Sequence, residues 1–210
     1  MTTHEDQFLI SADAALQLLI EGNERFQRGE VRISQFSTEI LGELAKGQKP
    51  FATILGCSDS RVAPEIIFDA HLGQLFVIRV AGNVMSPEVA GTLQYAGQHL
   101  QTPLFVVLGH EQCGAVQAAL DVKLRGGKEK DRIKLLLANI LPGLEGIDEH
   151  STPENLTSLA VEANVRWSMR QILESPEGRT RVAENRFKLV GAVYEISSGR
   201  VRFLQEWNRP

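Results

Sequence analysis

The chain has 210 residues, 43% of them hydrophobic, which suits one compact domain with a sizeable core. Its formal net charge is −4 without a long run of one sign, so we expect neither a nucleic-acid-binding surface nor a polybasic patch that would bind a membrane. No apolar stretch approaches the roughly 18 residues of a membrane-spanning helix, and the opening residues lack the pattern of a secretory signal, so we expect a cytoplasmic protein.

The first third of the chain is predicted to be helical. Residues 11–26, SADAALQLLIEGNERF, begin with a serine that can cap a helix and carry apolar residues at helical spacing. Further leucines and an isoleucine lie outside that apolar stripe, so a partner subunit is one candidate for what covers this helix. A second helix is expected to run from a cap at Ser37 or Thr38 to Gly47, where the glycine ends it.

Short apolar runs alternate with helical segments in the middle of the chain. The predicted strands are FATILGC, LFVIRV and PLFVVLGH, at residues 51–57, 75–80 and 103–110. Helices are predicted at residues 86–100 and 113–124, and helical crossovers between buried strands indicate a parallel sheet covered on both faces. Residues 131–185 are predicted to be mostly helical, and the last two apolar runs flank SSG as a hairpin.

The chain is interpreted as a single domain covering residues 1–210. No internal repeat, low-complexity tract or long linker divides the sequence. Within this domain, residues 1–47 form an N-terminal helical arm and residues 48–210 form the α/β core.

Two cysteines and a histidine fall at the ends of predicted strands. Cys57 ends the first strand, His110 ends the third, and Cys113 completes the short pattern H-x2-C. Parallel α/β sheets bind ligands in the crevice outside the carboxyl ends of their strands, so these residues converge if the two strands are neighbours. Two thiolates and one imidazole leave a tetrahedral zinc with one open position, which is typical of catalytic zinc sites.

Other interpretations of the same residues stay open at this point. Free cysteine is among the most buried residue types, so two inert thiols are the simplest structural alternative. A cysteine nucleophile paired with His110 is conceivable, but it leaves the second cysteine and Asp59 without a role. Cys57 and Arg61 are separated by three residues rather than the five of the phosphatase signature, and no dinucleotide, P-loop or serine-hydrolase motif occurs.

The segments CSDSRV, residues 57–62, and GHEQCGAV, residues 109–116, resemble the two signature segments of the β-class carbonic anhydrases. The intervening GQLFVIRVAGNV matches as well, and the resemblance runs from about Leu16 to the final hairpin. It implies an α/β fold in which four parallel strands plus an antiparallel strand are flanked by helices, assembled as a homodimer or tetramer. The implied reaction is the reversible hydration of CO₂ to bicarbonate and a proton, with one Zn²⁺ per subunit supplying the hydroxide.

The resemblance also implies roles for the residues of the two motifs. Cys57, His110 and Cys113 match the zinc ligands. Asp59 and Arg61 match a salt-bridged pair, in which the aspartate accepts a hydrogen bond from the zinc water and the arginine holds the carboxylate off the metal. Several members of the family have a closed state with this aspartate as fourth ligand, and removal of the arginine is expected to favour it.

Five further positions match residues that contact substrate in the family. Gln48 matches a glutamine that hydrogen-bonds bicarbonate and that reaches the active site of the neighbouring subunit. Gly114 matches a glycine whose backbone N–H faces the substrate oxygen. The positions of the apolar CO₂ pocket correspond to Phe76, Ala81 and Tyr95.

The sequence also departs from one subgroup of the family. Ile54 stands where the bicarbonate-inhibited members carry tryptophan, which argues against their effector site, although Arg79 and Tyr194 match its other positions. Relatives on this scaffold hydrolyse CS₂ or COS, and a non-catalytic zinc protein is a further alternative. The motif CSDSRV, with its aspartate and arginine both present, favours CO₂ hydration over these alternatives.

Overall fold

The computed structural model of the protein describes residues 10–32, 38–148, 151–184 and 187–204. Its helices are α1 (Ala12–Gln27), α2 (Thr38–Leu44), α3 (Pro64–Ile67), α4 (Pro87–Tyr95), α5 (Gly114–Arg125), α6 (Asp131–Ala138), α7 (Pro153–Glu174) and α8 (Pro176–Glu184). Its strands are β1 (Ala52–Gly56), β2 (Leu75–Arg79), β3 (Leu104–His110), β4 (Lys188–Tyr194) and β5 (Val201–Phe203). Shorter helical turns lie at Ala81–Asn83, Ala96–Leu100 and Leu141–Leu144.

Within these ranges the strands form one mixed sheet in the order β2-β1-β3-β4-β5. β1 pairs in parallel with β2 and β3, β3 pairs in parallel with β4, and β5 runs antiparallel to β4. The expectation of four parallel strands plus an antiparallel strand is therefore confirmed. Both β1 and β3 are buried along their whole length, as strands covered on both faces must be.

Helices cover both faces of the sheet. One core cluster packs α4, α5 and α7 against one face, and a second packs α1 and α3 against the other. Neighbouring residues of β1 alternate between them, with Leu55 in the first cluster and Ile54 in the second, because successive side chains of a strand point to opposite faces. Among the described helices, none has the length and apolarity that crossing a membrane requires.

α1 packs against the core of its own chain. Asn23 is buried, and its Nδ2 donates to the backbone carbonyls of Ile67 at 3.2 Å and Gly199 at 2.9 Å. Its Oδ1 accepts a hydrogen bond from the Val201 N–H at 2.8 Å. One side chain thus joins α1 to α3 and to the β4–β5 hairpin, while Leu18 on the outer face of the helix stays 41% exposed.

α2 is shorter than the sequence analysis predicted. The helix ends at Leu44, and the chain continues as a turn in which the Gly47 N–H donates to the Leu44 carbonyl at 3.2 Å. The expected cap at Ser37 lies outside the described residues. No described residue of α2 is buried, so packing adds little to hold its last turn in helical form.

Candidate metal centre

The sheet brings the two cysteines and the histidine to one edge. Cys57 directly follows β1, His110 is the last residue of β3, and Cys113 caps the N-terminus of α5. β1 and β3 are neighbours in parallel, with Gly56 opposite Leu108. The adjacency that the sequence analysis required is therefore present, and all three side chains emerge at the carboxyl end of the sheet.

The ligand-type atoms of these residues, which we call the Cys-His-Cys cluster, lie within bonding reach of one metal ion. One nitrogen of His110 and the Sγ atoms of Cys57 and Cys113 are all within 4.8 Å of one another. The two sulfurs are 4.0 Å apart. Two sulfurs bound to one tetrahedral zinc at about 2.3 Å lie roughly 3.8 Å from each other, so the observed spacing fits zinc closely.

The His110 ring is oriented as a metal-binding histidine. Its Nδ1 lies 2.8 Å from the Glu111 carbonyl oxygen, an acceptor only, so Nδ1 carries the proton and donates it. Nε2 is buried and has no hydrogen-bond partner among the described residues. A buried unpaired acceptor costs stability, and a cation held between Nε2 and the sulfurs accounts for it. The residues present therefore fit a metal ion.

The turn between His110 and Cys113 has an unusual backbone. Gln112 has a φ of 52°, in the left-handed region that residues other than glycine seldom adopt. The turn is tied to the end of β4, because the Glu111 N–H donates to the Tyr194 carbonyl at 2.9 Å. This reversal lets β3 and α5 each place one ligand atom in the same cluster.

The electrostatics of the two cysteines favour one thiolate over the other. The pKa of Cys57 is lowered to about 4, chiefly by a hydrogen bond from the Cys113 thiol and further by the Gly82 N–H. The pKa of the Cys113 thiol is raised, first by that shared hydrogen bond and then by burial. The pair thus holds one negative charge readily, and a bound cation is what allows the second sulfur to ionise.

The turn Ala81–Asn83 lies against the Cys57 sulfur. The Gly82 N–H donates to Cys57 Sγ at 3.3 Å, and Gly82 has a φ of 71°. A Cβ atom at this position would lie 2.8 Å from Ile140 Cδ1 and 3.1 Å from Ala115 Cβ. Only glycine fits the turn with both its backbone angles and its neighbours unchanged.

Asp59 lies beside the cluster and is held by Arg61. Arg61 Nε donates to Oδ1 at 2.9 Å and Nη2 to Oδ2 at 2.7 Å, while the Arg61 N–H donates to Oδ1 at 3.0 Å. These bonds from Arg61 hold the pKa of Asp59 well below its usual range. Asp59 Oδ2 is 3.9 Å from His110 Nε2, so the ionised carboxylate borders the cluster.

The loop that carries Cys57 and Asp59 is clamped by Arg79. Arg79 Nε donates to the Cys57 carbonyl at 3.0 Å, and Nη2 donates to the Asp59 carbonyl at 2.7 Å. From the sequence, Arg79 is only a match to an effector position of one subgroup of the family. Ile54 and Tyr194, named with it, are buried core residues, and Arg79 is directed to the loop.

The five residues matched to substrate contacts lie in different surroundings. Gly114 is the first residue of α5, directly after Cys113, and Ala81 precedes Gly82 in the turn against Cys57. The Phe76 and Tyr95 rings pack with their centroids 6.1 Å apart, although Tyr95 is 47% exposed. Gln48 is exposed between α2 and β1, and among the described residues no hydrogen bond joins it to the Cys-His-Cys cluster.

A mostly parallel sheet with two cysteines and a histidine gathered at its carboxyl edge places the chain among α/β proteins with a candidate metal site. A family model described as carbonic anhydrase matches residues 52–201. Carbonic anhydrase 2 of Mycobacterium tuberculosis strain H37Rv is 40% identical over 195 residues, covering 89% of this chain and 90% of that protein. The chain belongs to the β-carbonic anhydrase family.

Solved structures of β-carbonic anhydrases share the fold. The β-carbonic anhydrase CcaA aligns with a TM-score of 0.73 and 28% identity, over 92% of this chain and 93% of that one. One of two tetrameric β-carbonic anhydrases from Sordaria macrospora aligns with a TM-score of 0.72 and 26% identity, over 79% of this chain and 86% of that one. The likeness to CcaA therefore extends over most of this chain.

Proposed function

We propose that the protein is a zinc-dependent carbonic anhydrase, which converts CO₂ and water reversibly to bicarbonate and a proton. The observation that carries this proposal is the buried Cys-His-Cys cluster with the Asp59–Arg61 pair directly beside it. A structural zinc site needs four protein ligands and has no use for a restrained carboxylate nearby, whereas a catalytic site keeps one position open. Membership of the family points to the same reaction.

Cys57, His110 and Cys113 would hold the zinc, one ion per subunit. When bound, zinc supplies a Lewis acid that lowers the pKa of water and so provides hydroxide for attack on CO₂. The donor set of two sulfurs and one imidazole nitrogen is a zinc-type set that leaves one of four positions for a small oxygen ligand.

Asp59 orients the attacking oxygen. An ionised carboxylate can only accept hydrogen bonds, and Arg61 keeps this one ionised and fixed in place. Asp59 therefore accepts a hydrogen bond from the oxygen nucleophile. This bond orients the oxygen so that one of its lone pairs is free to attack CO₂. Arg61 prevents the carboxylate from moving onto the metal itself, because it occupies both carboxylate oxygens.

Gly114, Phe76, Ala81, Tyr95 and Gln48 are proposed to bind substrate. Gly114 offers its backbone N–H at the first turn of α5, where the helix dipole favours an anionic oxygen such as that of bicarbonate. The Phe76–Tyr95 ring pair and the Ala81 methyl group provide apolar surface for CO₂. Gln48 is proposed to reach bicarbonate in the neighbouring subunit rather than in its own.

We propose a homodimer or tetramer as the working assembly. Tyr95, Ile40 and Leu41 are 47%, 45% and 48% exposed in the single subunit, which favours a second copy as their cover. Gln48 lies just beyond α2 and is exposed too. The similar proteins from Sordaria macrospora are tetrameric.

We propose a cytoplasmic location because the two cysteines are not joined in a disulfide. Both Cys57 and Cys113 are free thiols, and a reducing compartment keeps thiols in that state. A metal site that depends on two thiolates works only where they are not oxidised to a disulfide.

Stopped-flow measurement of CO₂ hydration, combined with metal analysis, tests the proposed function. The wild type is expected to contain about one zinc per subunit and to hydrate CO₂. Asp59→Ala is expected to keep its zinc while its rate of CO₂ hydration falls about 100-fold, which is the low end of the rate contribution of a side chain that takes part in proton transfer. CS₂ and COS are assayed in parallel. Turnover of either in place of CO₂, or zinc without any turnover, would contradict the proposal.

A further inference from the structure

Two polar side chains of α7 are buried against the turn Ala81–Asn83. Asn164 and Ser168 are four residues apart on one helical face, with exposures of 1% and 0%. Asn164 Nδ2 donates to the Gly82 carbonyl at 2.7 Å. Ser168 Oγ donates to the Asn83 carbonyl at 3.0 Å. The turn is thus held from the interior of the molecule by a helix that contributes no atom to the Cys-His-Cys cluster.

The Gly82 residue connects this helix to a metal-ligand sulfur. Its carbonyl accepts from Asn164, and its N–H donates to Cys57 Sγ at 3.3 Å. Both groups flank one α-carbon, which is held at φ 71° and ψ 18°. Because glycine has no Cβ to restrict these angles, an external contact such as the Asn164 hydrogen bond is what fixes the direction of its N–H.

Within the described part of the chain, only one end of the Asn164 amide group is paired. Its Oδ1 is buried and has no hydrogen-bond partner among the described residues, and an unpaired buried acceptor is destabilising. Val161 and Val165, close to Asn164 on α7, belong to the core cluster that packs this helix against the sheet. A leucine of similar shape would remove that unpaired acceptor but would leave the Gly82 carbonyl without its donor, so what the asparagine adds at this position is its contact with the turn.

We propose that Asn164 is a positioning residue for the metal centre, which holds Gly82 so that its N–H stays directed at the Cys57 sulfur. A hydrogen bond to a thiolate withdraws electron density from the sulfur and fixes its orientation, and such outer partners tune the ligands of a metal site. The inference rests on the proposed function in one respect, because it takes Cys57 as a ligand of the bound metal. It assigns α7 a part in setting the properties of that ligand.

The test compares Asn164→Leu and Asn164→Ser with Ser168→Ala as the matched control from the same helical face. Each purified protein is loaded with cobalt, and the near-ultraviolet thiolate-to-cobalt charge-transfer band is recorded. Zinc affinity is measured by competition with a chelator. Both Asn164 variants are expected to shift the band to lower energy, since the sulfur loses a donor, and to bind zinc about tenfold more weakly. Ser168→Ala is expected to lower thermal stability while leaving the band and the zinc affinity unchanged.

Three results would overturn the assignment. If the Asn164 variants keep the wild-type band and zinc affinity, Asn164 has only a structural role. If the leucine variant does not fold, the same comparison is made with Asn164→Ser, which retains a polar side chain. An equal band shift in Ser168→Ala would show that any loosening of the turn perturbs the sulfur. A wild type that binds neither metal would overturn the proposed function as well, whereas unaltered Asn164 variants of a metal-binding wild type overturn this inference alone.

Discussion

Asp59 keeps its carboxylate beside the Cys-His-Cys cluster because Arg61 engages both of its oxygens. The guanidinium makes two parallel side-chain bonds, at 2.9 and 2.7 Å, the fork geometry that a point-charge ammonium cannot reproduce. Asp59 Oδ2 is already within 3.9 Å of His110 Nε2, so a modest rotation of the freed side chain would bring it to a metal ion. The position of one carboxylate thus depends on one neighbouring side chain.

Replacement of Arg61 by alanine is expected to close the site. The freed Asp59 carboxylate becomes the fourth ligand of zinc, which removes the position needed by the attacking oxygen, so the rate of CO₂ hydration falls about 100-fold or more. Arg61→Lys is the control, because it keeps the positive charge but cannot make two parallel hydrogen bonds. Its rate of CO₂ hydration is expected to lie between those of the wild type and the alanine variant. A crystal structure of the zinc-loaded alanine variant checks this, and an unmoved Asp59 with water still on zinc would refute it.

The charge of the donor set predicts the pH dependence of the reaction. With three neutral histidine ligands, zinc lowers the pKa of its water to about 7. Cys57 and Cys113 as thiolates offset the double positive charge of the ion, so the water should lose its proton at a higher pH. The rate of CO₂ hydration is expected to rise through mildly alkaline pH in a rate–pH profile. A profile that is already flat at about pH 6.5, below the histidine-type value, would contradict this reasoning.

At the scale of elements, the cluster is assembled where rigid segments end. β1 and β3 are adjacent and fully buried, and α5 begins directly after Cys113. Helix α3 begins shortly after the loop that carries Asp59, and α1 packs against α3. Sites built on the ends of packed elements hold their geometry more tightly than sites on free loops. Helix α1 therefore supports α3, the element that follows the loop of the Asp59–Arg61 pair.

The contact between α1 and α3 predicts a specific sensitivity at Gly22. A Cβ atom on Gly22 would lie only 1.9 Å from the Phe68 carbonyl oxygen, so Gly22→Ala forces the two helices apart and is expected to lower the free energy of unfolding by about 1–3 kcal/mol. Gly91→Ala is the matched control, because Gly91 is an exposed helical glycine with nothing within 4 Å of its Cβ position. That change is expected to be neutral or stabilising. Equal effects of the two changes in denaturant unfolding would argue against the contact.

On the scale of the whole molecule, the arm and the core are proposed to fold as one domain. Asn23 of α1 is hydrogen-bonded to the backbone at Ile67, Gly199 and Val201, so segments from the two ends of the described chain meet on one side chain. Buried amide groups with such partners are lost only at a cost. Independent unfolding of α1 would break these bonds and uncover Leu19.

The parts of the site that follow from strand order could be predicted from the sequence, and those that depend on single hydrogen bonds between distant residues could not. Cys57, His110 and Cys113 could be placed together from the sequence, because strand ends of a parallel sheet meet at one edge. The contacts of Arg79 and Asn164 could not, since each donates to a backbone carbonyl far away in sequence. Gln112 gave no local signal of its left-handed backbone, which glutamine seldom adopts. A polar residue at a buried position of α7 was the one available hint of Asn164.

Because the three proposed ligands come from separate segments, metal removal is expected to loosen the whole molecule. A ligand that binds only the folded chain, at a free concentration a thousandfold above its dissociation constant, stabilises it by about 4 kcal/mol, which in a protein of this size corresponds to roughly 10 °C in Tm. Treatment with a strong chelator is expected to lower Tm by about that amount, and added zinc is expected to restore it. Cys113→Ser, which lacks one of the two sulfurs, should start at the lower Tm and respond weakly to either treatment. Differential scanning calorimetry makes the comparison, and a wild-type Tm that ignores both chelator and zinc would show that no metal links β1, β3 and α5.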